Sequence, residues 1–131
     1  MKKILIEWKH FDKKGKTCKR CSKTGKNISQ VISDLQSELL QKGVEIEYKE
    51  TKLAESRMSA SNMVLINSVP LEALIPDTKA GENECCSCAR LINNASSCRC
   101  RTVSHKNVIF EEVPKKLIRL AILISVKEEL K

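Results

Sequence analysis

Residues 4–48 read ILIEWKHFDKKGKTCKRCSKTGKNISQVISDLQSELLQKGVEIEY and contain the strongest secondary-structure signals of the chain. The first five of these residues, Ile4 to Trp8, form a short and largely β-branched apolar run, which predicts a strand. Apolar residues from Ile28 to Leu39 recur at the spacing of one helix face, and Gly43 marks the end of that helix. Val44 to Tyr48 alternates as a half-buried strand does. A helix between two strands predicts a parallel crossover and therefore an α/β fold.

The remaining chain predicts three further elements and one insertion. Leu53–Ser59 favours a short helix, Met63–Asn67 a third strand and Val108–Glu112 a fourth strand. Pro114 stands near the first turn of a closing helix, where its missing N–H costs little. A polar, cysteine-rich insertion at about 76–105 precedes the last strand and fits neither helix nor sheet. We expect all 131 residues to form a single α/β domain, with an about four-stranded mixed sheet flanked by helices.

The net charge of +8 is confined to one block of the sequence. Residues 1–26 hold ten basic and two acidic side chains, whereas the remaining residues hold fourteen of each. This block has few interleaved aromatic residues and no recognition motif, which argues against a nucleic-acid partner. We interpret the block as a solvated basic loop or as a positive field around nearby thiols.

The chain has neither a secretory signal nor a run of about 18 apolar residues, so we expect no membrane span and a cytoplasmic location. In that compartment seven cysteines indicate thiols, metal ligands or redox chemistry rather than a framework of structural disulfides.

Cys18 and Cys21 lie inside the basic block, two residues apart, just before the predicted helix. This spacing lets both sulfurs meet at a first helical turn, where backbone N–H groups and the helix dipole stabilise a thiolate. Lys19 and Arg20 add positive potential and are expected to tune that thiolate. The pair is a candidate for redox chemistry, for half of a zinc site, or for two thiols without chemistry.

Short motifs extend over nearly the whole chain: TCKRCSKTG at 17–25, SNMVLIN at 61–67, PLE at 70–72, CSC at 86–88, CRT at 100–102, VP at 113–114 and LI at 117–118. With these motifs the chain resembles thioredoxin-like proteins, and more narrowly a family of small bacterial and archaeal proteins of that fold whose function is unassigned. The resemblance implies a thioredoxin-like domain in which Cys18 is the attacking thiolate and Cys21 the resolving thiol.

One position departs from the thioredoxin pattern. Thioredoxins and glutaredoxins place a cis-proline just before the third strand, facing the active sulfurs and keeping metal away from them. That place falls near Asn62, and the sequence has no proline there. The missing proline weakens the case for general disulfide reductase activity, and it favours metal binding at Cys18 and Cys21.

Five further cysteines lie within sixteen residues, at Cys85, Cys86, Cys88, Cys98 and Cys100. Four thiolates satisfy tetrahedral zinc, and we assign Cys85, Cys88, Cys98 and Cys100 as tentative ligands with Cys86 as a substitute. Copper(I) or an arsenic-type metalloid also suits such soft ligands. The competing arrangements are a disulfide that exchanges with the first pair, and independent thiols.

Three other side chains are candidates of lower rank. His10 and His105 each stand alone in a polar stretch, which predicts solvated surface histidines, and Trp8 is expected in the core. The sequence thus leaves two functions open. One is thiol–disulfide exchange with a protein or small-molecule disulfide, including an anionic one, without a cofactor. The other is a non-enzymatic module that binds zinc or a soft metal.

Overall fold

The computed structural model describes residues 2–12, 19–53, 62–84 and 99–130, and it describes only the backbone of residues 19, 20, 83, 84, 99 and 100. The elements in chain order are β1 (Lys2–Phe11), α1 (Lys19–Gln41), β2 (Val44–Leu53), β3 (Met63–Ile66), β4 (Val69–Pro70), α2 (Leu71–Leu74), β5 (Thr78–Glu84), β6 (Arg99–His105), β7 (Val108–Phe110) and α3 (Lys115–Glu129).

The described strands form two sheets. The larger sheet is mixed and four-stranded, with the order β2-β1-β3-β4. β1 and β2 are parallel, with Lys2 opposite Val44 and Phe11 opposite Leu53, as the helical connection between them predicts. β3 is antiparallel to β1, and β4 is antiparallel to β3. The second sheet is the antiparallel ladder β5-β6-β7.

The core lies between the larger sheet and two helices on one of its faces. α1 and α3 contact each other, and both contact the sheet. Alternate residues of β1 point into this layer, and the apolar face of α1 meets them at the predicted helical spacing. The largest fully buried side chains include Ile4, Ile6, Ile28, Leu39, Leu117, Ile118 and Ile122.

The predicted elements β1, α1 and β2 are present, and each is longer than predicted. β1 continues to Phe11, and the described part of α1 already begins at Lys19. Gly43 has a φ of +80° and its N–H donates to the carbonyl of Leu40, so it ends the helix as predicted. β2 continues past Tyr48 to Leu53.

The fourth strand of the larger sheet is not the predicted one. Asn67 and Ser68 both have positive φ and form a tight turn, so that Val69–Pro70 folds back on β3 as the fourth strand. The predicted strand at Val108–Glu112 exists as the shorter β7, but it pairs with β6 in the second sheet. A pattern of apolar residues predicts that a strand forms, but it does not determine which strand is its neighbour. The strand was therefore assigned to the wrong sheet.

The insertion at about 76–105 contains two strands that the sequence did not predict. β5 and β6 form a seven-residue antiparallel ladder from Thr78 opposite His105 to Glu84 opposite Arg99. The predicted helix at 53–59 lies outside the described residues, apart from Leu53, which ends β2. In the part of the chain that the structure describes, no helix is long and apolar enough to span a membrane.

Candidate functional site

Cys21 lies in the first turn of α1 and is almost completely enclosed, with 1% of its surface exposed. It belongs to the main apolar cluster, together with Trp8 and Phe11 near the end of β1. A thiol enclosed in this way is out of reach of a bulky substrate. Any exchange chemistry at this place therefore needs a second, more accessible sulfur.

The other predicted residues of this site are described only in part. Cys18, the predicted attacking thiol, lies outside the described residues. Lys19 and Arg20 belong to the backbone of the first turn of α1, and their side chains are not described. Their predicted effect on the thiolate stays a prediction.

Trp8 fixes how α1 sits on the sheet next to this turn. A Cβ at Gly25 would lie 2.6 Å from Cη2 of Trp8, so the helix approaches the ring as closely as only glycine permits. The imidazole of His10 stacks on the indole, with 3.9 Å between ring centroids and 18° between planes. Trp8 is in the core as predicted, but the surface position predicted for His10 is wrong because that residue is only 2% exposed.

An open cleft of about 820 Å³ lies between α1 and β2. Polar and small side chains of α1 form one wall, β2 forms the other, and β1 forms the floor. The lining residues are Trp8, His10, Asp12, Ser22, Gly25, Lys26, Ser29, Gln30, Ser33, Tyr48, Glu50 and Lys52. Since Ser22 follows Cys21 directly, one end of this cleft lies at the first turn of α1.

Charged and aromatic groups meet in the middle of the cleft. Nε2 of His10 lies 3.6 Å from Oε1 of Glu50, and its Nδ1 lies 3.4 Å from the carbonyl oxygen of Phe11. Partial burial, followed by the charge of Glu50, raises the pKa of Tyr48 to about 12. The Tyr48 hydroxyl is therefore a neutral hydrogen-bond donor at physiological pH.

Hydrogen bonds connect the second turn of α1 to the segment before α3. The Val113 N–H donates to the buried hydroxyl of Thr24 at 3.0 Å, and the Asn27 amide donates to the Val113 carbonyl at 2.9 Å. The Asn62 amide donates to the carbonyl of Glu111 at 3.3 Å. These contacts join three of the quoted motifs, and they connect Asn62, directly before β3, through the segment 111–113 to the second turn of α1.

At Asn62, the position that the sequence comparison set against the thioredoxin cis-proline, the backbone conformation excludes proline. The φ of Asn62 is 63°, whereas the proline ring requires a φ near −65°. The described residues contain no cis peptide bond. A proline at residue 62 would therefore require a different backbone conformation.

The second cysteine group is largely outside the described residues. Cys85, Cys86, Cys88 and Cys98 fall outside them, and Cys100 is described only as a backbone position of β6 opposite Asn83. Within the described residues, no three His, Cys, Asp or Glu side chains lie close enough together to hold a metal ion. The predicted zinc site therefore stays a prediction.

An ion pair anchors the strand that carries Cys100. The guanidinium of Arg101 binds the carboxylate of Glu72 in α2, and the two side chains are only 19% and 15% exposed. Both residues line a cavity of about 10 Å³, which also has Asn62 and Val113 in its wall. β6 is thus held against α2, beside Asn62 and Val113.

Comparison with known proteins supports the family assignment. A family described as "Domain of unknown function (DUF2703)" matches residues 4–122. The chain belongs to this family. An "Uncharacterized protein" from Archaeoglobus fulgidus is 34% identical to this DUF2703 chain over an alignment of 87 residues, and the match covers 63% of each protein. The chain thus spans less than two thirds of that relative's length, and no solved structure matches it.

Sequence reasoning missed the cleft of this DUF2703 chain. A signal for it was present, because Ser22, Gly25, Ser29 and Ser33 recur along one side of α1 where a packed helix usually carries large apolar residues. Nothing in the sequence placed that side of α1 beside β2. The approach of His10 to Glu50, from two different strands, had no sequence signal at all.

Proposed function

We propose that this chain is a thioredoxin-like thiol–disulfide oxidoreductase in which Cys18 attacks and Cys21 resolves. The strand order β2-β1-β3-β4 supports a thioredoxin-like fold, with β1 and β2 parallel around α1 and the next two strands antiparallel. Cys21 lies in the first turn of a helix of 23 residues that follows β1, and Cys18 precedes it by three residues in the sequence. The first turn of a helix is the place at which the helix dipole stabilises a thiolate.

The burial of Cys21 in the first turn of α1 is the observation that carries the proposal. A resolving thiol needs access only to its partner sulfur, so enclosure suits it. The attacking sulfur must reach the substrate, and only Cys18 of this pair is available for that role. Lys19 and Arg20 then act by stabilising the Cys18 thiolate.

The exchange balances without a cofactor. The Cys18 thiolate attacks one sulfur of a substrate disulfide, forms a mixed disulfide and releases a substrate thiolate, which takes a proton from water. Cys21 gives its proton to solvent, and its sulfur attacks Cys18 and releases the second substrate thiolate. The substrate gains two electrons and the Cys18–Cys21 pair becomes a disulfide, which an external dithiol must reduce. We propose a cytoplasmic location, where such dithiols are abundant.

Insulin reduction with dithiothreitol as the external dithiol tests this proposal. We expect Cys18→Ser to abolish turnover and Cys21→Ser to accumulate a mixed disulfide that intact-mass analysis detects. Cys86→Ser is the matched control and is expected to keep normal turnover. Iodoacetamide should label Cys21 only after urea unfolding. Undiminished activity in Cys18→Ser would falsify the mechanism.

We propose zinc or another soft metal in the second cysteine group as an alternative function that is not enzymatic. The end of the β5–β6 ladder favours a metal site there, because Glu84 pairs with Arg99. The two residues that flank the segment 85–98 therefore lie side by side. The candidate ligands Cys85, Cys88, Cys98 and Cys100, with Cys86 as a substitute, stand in or directly beside that segment.

Native mass spectrometry of protein purified with and without added zinc tests the alternative. The expected result is a mass gain of one metal ion, lost in Cys98→Ser and kept in Cys18→Ser. A mass unchanged by zinc, together with native-state titration of the five thiols at residues 85, 86, 88, 98 and 100, contradicts metal binding. A loss of two daltons that reductant reverses favours exchange chemistry instead.

A further inference from the structure

The outer edge of β2 presents backbone hydrogen-bonding groups beside the cleft. The Lys2 N–H donates to the Gly43 carbonyl, and the Asp12 N–H donates to the Leu53 carbonyl. The backbone N–H and C=O groups of the odd-numbered residues of β2 therefore point toward β1. Because neighbouring residues of a strand face opposite sides, the N–H and C=O groups of even-numbered residues point away from β1. In the described ranges β2 pairs with β1 alone.

The same even-numbered residues also line the cleft. Tyr48, Glu50 and Lys52 each contribute a side chain to the cleft wall, while their backbone groups point to the outer edge. The opposite wall extends from Ser22 to Ser33 of α1, which is about 16 Å along the helix axis. That distance matches about five residues of an extended chain.

We propose that an extended segment of a partner protein binds here as a fifth strand on β2. Its backbone would pair with Tyr48, Glu50 and Lys52, and every second side chain would enter the cleft, which is the usual geometry of strand addition. Carboxylates and amines of both signs line the cleft, at Asp12, Lys26 and the two charged β2 positions, so a segment with alternating charges complements it.

That the bound segment is a substrate rests on the proposed function, and the way it binds indicates the class of substrate. β1 and β2 are parallel, so the carboxyl end of β2 lies at the same end of the sheet as the first turn of α1. A strand bound along β2 therefore leads at one end toward the first turn of α1, where Cys21 lies. The substrate is accordingly a disulfide within a polypeptide rather than a small-molecule disulfide.

Binding is measured with reduced, carboxymethylated ribonuclease A, an unfolded chain without thiols. Trp8 is the sole tryptophan and lines the cleft, so its fluorescence reports occupancy. We expect Lys52→Pro to weaken binding about tenfold relative to Lys52→Ala, because proline removes an outward N–H and leaves the pairing with β1 intact. Ser29→Phe, which fills the cleft from an exposed helix position, should weaken it similarly relative to Ser29→Ala.

The functional arm compares two disulfide substrates. With scrambled ribonuclease A, Lys52→Pro and Ser29→Phe are expected to lower kcat/KM about tenfold, whereas hydroxyethyl disulfide should be reduced at the wild-type rate. Circular dichroism and urea unfolding verify that both variants are folded. Equal losses on both substrates, or wild-type rates on both, overturn the inference.

Two further outcomes distinguish strand addition on β2 from the proposed redox function and from self-association. If the wild type reduces no disulfide, yet binds carboxymethylated ribonuclease A in an edge-dependent way, the proposed function fails and the binding edge stands. If sedimentation shows a dimer that Lys52→Pro dissociates, the edge pairs with a second copy and the inference is wrong.

Discussion

Gly25 of α1 lies directly against the indole of Trp8. A Cβ at residue 25 would lie 2.6 Å from Cη2 and 2.8 Å from Cζ3 of that ring, distances that real Cβ contacts do not show. Glycine inside a helix costs about 1 kcal/mol relative to alanine. The chain accepts that cost because the close approach packs the ring under the helix and gives the cleft its floor.

Gly25→Ala is expected to destabilise the fold, although alanine is the better helix former. Forcing a methyl group against a rigid ring costs about 1–3 kcal/mol, which exceeds the gain in helix propensity. Urea unfolding followed by circular dichroism measures the loss. Trp8→Phe removes part of the ring, so the double variant should lose less than the sum of the single losses. Additive losses would show that the steric contact is not the cause.

Thr24→Val is expected to lower the free energy of unfolding by about 1–3 kcal/mol. Valine has the same shape but leaves the buried Val113 N–H without its hydroxyl acceptor. Amide hydrogen exchange at Val113 should become faster in this variant. Thr24→Ser keeps the hydroxyl and should keep the protection of that amide, which separates loss of the hydrogen bond from loss of packing.

Arg101→Met is expected to cost about 1.5–3 kcal/mol, because it leaves the Glu72 carboxylate without its charged partner in a largely buried place. A double-mutant cycle with Glu72→Leu isolates the interaction. We expect the double variant to lose at least about 1 kcal/mol less free energy of unfolding than the two single variants lose together. A coupling near zero would mean that β6 is held by packing alone.

Tyr48 is expected to titrate with a pKa of about 12, which absorbance at 295 nm measures directly because the chain has a single tyrosine. Glu50→Gln should lower this pKa, and Glu45→Gln, at a β2 position outside the cleft lining, serves as the control. An unfolded tyrosine ionises near pH 10, so between pH 10 and pH 12 the folded state holds more protons than the unfolded state. The free energy of unfolding therefore falls as the pH rises through this window.

Local patterns predicted the first half of the fold well. The β1–α1–β2 unit follows from alternation in the strands, from helical spacing between Ile28 and Leu39, and from Gly43, whose positive φ ends the helix. These signals act within a few residues of sequence, so they can be interpreted without knowing the rest of the chain. The place of Cys21 in the first turn of α1 followed from the same reasoning.

Strand pairing could not be predicted in the same way. Val108–Phe110 has the apolar character of a sheet strand, yet its partner is β6, because Lys106 and Asn107 form a tight turn that joins the two. Because no strand was predicted at Arg99–His105, this turn had no first strand to join and could not be interpreted as part of a hairpin. The two-residue strand Val69–Pro70 is also too short to leave a periodic signal.

Short-range periodicity and turn chemistry encode the α/β class, the parallel crossover and the position of Cys21 at the start of a helix, so all three could be derived from the sequence. The tertiary structure was needed for the burial of His10 on Trp8 beside Glu50, for the ion pair of Arg101 with Glu72, and for the cleft beside the edge of β2 that has no strand neighbour in the described residues. Each of these depends on which elements become neighbours. That choice is made by packing of the whole core, which no local stretch of sequence specifies.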